Sequence, residues 1–152
     1  MEVIENTLSV ELDEFLDRPL FCFLGQTSAV GPRISPLWFL WEDRTVWNIA
    51  RLEGRSYPDR VREYPQTTVA IVDFDPQTGR VEHVGMRGRA TLEPWDLARA
   101  ERLLEKYLGP RKDEWPEMFL GLDPEEYRLI EFEPETIVAR DQSYPAQSTV
   151  DT

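Results

Sequence analysis

Residues 67–92 read TTVAIVDFDPQTGRVEHVGMRGRATL. Two runs rich in β-branched residues flank Pro76-Gln77-Thr78-Gly79, whose proline and glycine are the usual punctuation of a hairpin. Upstream, LFCFLGQT from Leu20, RISPLWFLW from Arg33 and TVWNIA from Thr45 are similarly aromatic and β-branched. They predict three strands of an antiparallel meander, turning at Val30-Gly31-Pro32 and at Glu42-Asp43-Arg44. Downstream, YRLIEF and TIVAR predict two more short strands. Six or seven strands without β-α-β alternation exclude a doubly wound sheet and favour a mainly β, antiparallel barrel, closed or nearly so.

Helical spacing is confined to short stretches. Leu8, Leu12, Phe15 and Leu16 make one stripe that Ser9 or Asn6 would cap and Pro19 would end. Pro58 suits the first turn of a short helix inside the polar segment from Arg51 to Pro65. Leu97, Ala100, Leu104, Tyr107 and Leu108 predict the longest helix, over 95–108, stopped by Gly109-Pro110. Asp123-Pro124-Glu125-Glu126 predicts a single helical turn. One domain over 1–140 and a tail over 141–152 without periodicity complete the expected organisation.

The chain of 152 residues carries 17 Lys+Arg against 29 Asp+Glu, a net charge of −12. That charge repels phosphate backbones and anionic lipid alike, which argues against nucleic-acid and membrane partners. No stretch reaches the 18 apolar residues of a membrane span, and MEVIENTLSVELDEFL lacks the basic and apolar regions of a secretory signal. The cytoplasm is therefore the expected compartment. Cys22, the single cysteine, excludes an intrachain disulfide and sits in an apolar strand as a buried thiol.

His83 is the only histidine, so a catalytic triad or a multi-histidine metal site is hard to build, and the residue reads first as structural. Acidic pairs such as Glu125-Glu126 read as solvated surface. Trp38, Trp41 and Trp47 read mainly as core, although a flat ring could stack there. The arginines stand out more. Arg33 opens one strand, and Arg51, Arg55, Arg60 and Arg62 crowd one short segment of an acidic protein. Guanidinium forks there, with the hydroxyls of Ser35 and Ser56, would suit a phosphate; ion pairing with nearby carboxylates is the plainer alternative.

The order of these features resembles the pyridoxamine 5′-phosphate oxidase-like family of flavin-binding split β-barrels over roughly residues 10–140. The likeness rests on the Gly-Pro turn, Arg33-Ile34-Ser35-Pro36-Leu37-Trp38-Phe39, Val46-Trp47-Asn48-Ile49-Ala50, the basic loop with Arg55-Ser56, and Val84-Gly85-Met86-Arg87-Gly88-Arg89-Ala90. It implies a split barrel that dimerises and binds FMN, or a related deazaflavin, at the interface and acts on a small-molecule substrate. Arg33, Ser35, Arg55 and Ser56 would then meet the phosphate side, Trp38, Ile49 and Ala50 the ring, and His83 the flavin of the other subunit. Where many members carry a lysine after the phosphate loop, this chain has Tyr57 and Pro58. Two other readings stand beside it: a haem protein with His83 as axial ligand, and a cofactor-free interaction domain.

Overall fold

A computed structural model describes residues 1–54 and 57–146. The expected hairpin is there. β6 (Gln66–Asp75) and β7 (Arg80–Glu93) pair antiparallel from Gln66↔Arg89 to Asp75↔Arg80. Asp75 shapes the turn by accepting the Gln77 N–H at 2.9 Å, and Gly79 takes a φ of 78° that side chains disfavour.

The remaining strands are β1 (Glu2–Asn6), β2 (Cys22–Gln26), β3 (Arg33–Leu37), β4 (Leu40–Glu42), β5 (Thr45–Arg51) and β8 (Tyr127–Asp141). They form one sheet in the order β3-β2-β6-β7-β8-β5-β4, with β1 alongside β8. No pairing joins β3 to β4 or β5 among the described residues, so the curled sheet is split there. Inward side chains from the whole sheet, including Leu24, Val46, Ile71, Val84, Phe132 and Ile137, make one core.

The expected three-strand meander is broken, because RISPLWFLW divides into β3 and β4 and the sheet splits between them. YRLIEF and TIVAR are one strand, β8, because a bulge at Glu135 carries the pairing past Pro134: Arg87 faces Thr136 while Gly88 faces Pro134. A Cβ at Gly88 would strike the Glu133 carbonyl, so the glycine permits that close approach. The single turn expected at Asp123-Pro124-Glu125-Glu126 is present: Asp123 caps it by accepting the Glu125 N–H through Oδ1 at 2.9 Å, its carbonyl accepts from Glu126 and Tyr127 at 2.9 and 3.2 Å, and the chain then enters β8. β1, unanticipated, pairs parallel with the second half of β8, on the edge that β5 leaves free.

The helices fall near their expected places. α1 (Leu12–Leu16) buries Phe15 and Leu16. Glu11 stands at its N-cap without a side-chain cap, and Asn6 instead accepts the Leu8 N–H. α2 (Tyr57–Glu63) holds Pro58 in its first turn. α3 (Leu97–Leu108) is capped by Asp96, which accepts the Arg99 N–H, and stops at Gly109. Past Asp141, Gln142 and Tyr144 donate to the carbonyls of Val81 and Gly79, which ties that segment to the hairpin. The rest of the expected tail, residues 147–152, lies outside the described residues.

Under α3 lies a buried polar group. Asn48 donates to the Trp38 carbonyl at 2.8 Å and to Cys22 Sγ at 3.3 Å, while Lys106 Nζ donates to the carbonyls of Leu16 and Phe39. Burial pushes the Cys22 thiol up to about 12 and the Lys106 ammonium down to about 8. The folded state binds fewer protons than the unfolded chain between about pH 8 and 10.5 at Lys106, so stability rises there. It binds more between 9 and 12 at Cys22, so stability falls there. Burial pushes the Tyr107 hydroxyl up as well, so it adds a fall above pH 10; wild-type stability is expected to rise from pH 8 to 9, level off, and fall above 10, while in Cys22→Ala the rise should continue to about 10. Urea titrations across this range check it, and a wild-type stability falling steadily from pH 8 would contradict it.

Candidate functional site

Alternation along the central strands puts Gly25, Thr68, Ala70 and Gly85 on the outer face of the sheet, a floor with almost no side-chain height. Phe23, Ile4, Ile34 and Val138 wall this floor. Two adjoining open depressions of about 710 and 770 Å³ share Gly25, Ile34, Thr68, Arg87 and Glu135, forming one groove. His83 and Arg140 line one end, and Arg33, Arg87 and Arg89 line the other.

The second end gathers three guanidiniums and one carboxylate, that of Glu135. Arg18, Arg62, Arg80, Arg99, Arg102, Arg111 and Arg140 all face carboxylates within 4.0 Å. Arg33, Arg87 and Arg89 make no ion pair with any described residue. In a chain of net charge −12, three such guanidiniums on one groove are free to meet an anion from solution.

The site residues expected from the sequence are distributed over several places. Arg33 and His83 line the groove. His83 is half-buried, and its Nε2 lies 3.0 Å from Gln142 Oε1. Ser35 is on β3 at the rim, where Arg60 of α2 approaches its hydroxyl at 3.5 Å while donating through Nε to Gln26 at 3.0 Å. Gln26 in turn donates to the Tyr57 carbonyl, so α2 is fastened to β2. Trp38 and Ile49 lie elsewhere, in an apolar chamber of about 310 Å³ beneath α3. Trp38 stacks on Tyr107 there, with centroids 4.5 Å apart. Ala50 is fully buried in the core. Arg55 and Ser56 lie outside the described residues.

Arg87 and Arg89 are the groove residues that the motif contained but site reasoning passed over. Their spacing held the signal, since two residues apart on a strand means the same face. No cluster of three or more metal-ligating side chains occurs among the described residues, and no described helix is long and apolar enough to cross a membrane.

No family pattern and no curated protein matches the chain by sequence. Solved structures do. An F420 reductase is similar at 19% identity and TM-score 0.64, covering 86% of this chain and 98% of the other. A candidate pyridoxamine 5′-phosphate oxidase of Listeria innocua is similar at 23% identity and TM-score 0.62, covering 88% and 100%. HutZ, the haem storage protein of Vibrio cholerae, is similar at 14% identity and TM-score 0.67, covering 90% and 96%. One fold thus carries proteins of three different descriptions, and likeness at these identities speaks for architecture alone. With its split sheet, strand order and these likenesses, the chain is a split β-barrel of the pyridoxamine 5′-phosphate oxidase-like fold.

Proposed function

We propose that the protein is a small cytoplasmic oxidoreductase that holds a flavin-type cofactor, FMN or a deazaflavin, in the outer groove of a homodimer and acts on a small organic substrate. The observation that carries this reading is the set of unpaired Arg33, Arg87 and Arg89 at one end of a flat-floored groove. The residues fit such a group. Planar guanidinium forks suit a phosphate or carboxylate, and the floor of Gly25, Thr68, Ala70 and Gly85 leaves room for a flat ring. A bound flavin supplies the hydride or electron transfer; the chain binds its anionic end and shapes its surroundings.

Ile4, Ile34, Val72 and Phe74, 60%, 69%, 42% and 57% exposed, crowd the same outer face. Such apolar exposure favours a second copy closing over the groove and excluding water from the ring. The haem reading is less well supported, because Gln142 already holds His83 Nε2.

Desalted protein titrated with FMN, with F420 and with haemin tests the reading. Stoichiometric retention of FMN or F420 is expected, weakened about 100-fold in Arg87→Ala/Arg89→Ala if each lost charge-assisted contact costs about 1.5 kcal/mol. Arg55→Ala with Ser56→Ala, the two positions that precede Tyr57 in the sequence, is expected to weaken retention in the same titration. An intense haem band that His83→Ala abolishes, or a protein that retains none of the three, would overturn the proposal.

A further inference from the structure

The chamber beneath α3 is separate from the groove and is not used by the reading above. It opens at the split, between β3 and β5, and is roofed by the segment joining α3 to β8. All eleven lining residues are uncharged, in a chain where 30% of residues carry charge. Phe21, Trp38, Ile49, Met118, Phe119 and Leu122 dominate its surface.

Three observations favour a small ligand. Its volume of about 310 Å³ is at the lower end of ligand sites and suits two or three fused or linked rings. Trp38 Nε1 and the Tyr127 hydroxyl have no hydrogen-bond partner among the described residues, so the lining offers two polar atoms to orient a guest. The roof is the single 3₁₀ turn Glu117–Phe119 with Leu122 behind it, and Met118 is 74% exposed. A flexible thioether at the rim can adapt to guests of different outline.

We infer that this chamber binds an uncharged, mainly aromatic small molecule carrying one hydrogen-bonding group. A charged guest would lose hydration and meet no countercharge there. The chamber shares no lining residue with the groove, so this binding does not rest on the flavin reading.

The test uses N-phenyl-1-naphthylamine, an uncharged aromatic probe that brightens in apolar sites, on desalted protein without cofactor. Saturable binding is expected, weakened at least tenfold in Phe21→Asp/Met118→Asp, whose two positions are exposed at the rim and tolerate the change. Phe74→Asp, an equally polar change on the outer face, should leave it unaltered. Three results would overturn the inference: no binding by folded wild type, loss with Phe74→Asp instead, or binding that disappears as protein concentration promotes dimerisation. The last would mean that a second copy covers the chamber. Because no flavin is present, failure of the cofactor reading does not alter the result.

Discussion

Phe132→Ala is expected to lower the unfolding free energy by about 3–5 kcal/mol. Phe132 is fully buried on β8, opposite Val46 of β5 on one side and Ala90 of β7 on the other. β8 is paired on both sides here, so its backbone cannot sink into the space the ring leaves. Lost apolar contact and a persistent cavity therefore add. For a domain whose total stability is about 5–15 kcal/mol, that is about a fifth or more. Urea denaturation with an unchanged slope and a lowered midpoint would show it; a loss below about 1.5 kcal/mol would mean the core relaxes around the hole.

The second large effect concerns Arg18, just beyond α1. Asp73 and Glu82 are directly opposed across β6 and β7, and Glu82 is only 4% exposed. Two facing carboxylates repel. Arg18 bridges them through Nη1, at 2.9 Å to Asp73 and 3.0 Å to Glu82, while its guanidinium lies over the Phe15 ring. Arg80 assists from 3.4 Å and 3.8 Å but is half exposed. Arg18→Ala should cost about 2–4 kcal/mol, mostly from leaving a buried carboxylate short of partners. Glu82→Gln in that background should restore at least half of the loss. If Arg18→Ala costs under about 1 kcal/mol, Arg80 alone neutralises the pair.

Features governed by local chemistry were legible in the sequence. Pro76 and Gly79 announce their hairpin and Gly109 stops α3, because each acts within a few residues; Asp75 and Asp96, whose carboxylates accept N–H groups at those ends, were not read from the sequence. β1 was not legible: EVIEN has little strand character, and its partner on β8 lies more than 130 positions along the chain. Neither was the continuity of β8, since Pro134 reads as a stop until the bulge at Glu135 is seen.

The candidate site divides in the same way. Alternation alone places Arg87 and Arg89 on one face of β7. Their lack of ionic partners depends on how the sheet curls. Trp38 was read beside a flavin ring, yet its ring stacks on Tyr107, which α3 brings from 69 positions further on. Arg60, seen only as one member of a basic cluster, reaches Ser35 because Gln26 fastens α2 against β2.

In the proposed reading, the arginine end of the outer groove holds the anionic group of a flavin-type cofactor between two copies of the chain. A crystal structure of the protein grown with FMN or F420 tests it most directly. The ligand's phosphate is expected within hydrogen-bond distance of at least two of Arg33, Arg87 and Arg89, with a second copy closing over the outer face of β6 and β7. A ligand bound elsewhere, or a dimer whose own side chains fill the groove and pair with those arginines, would contradict it.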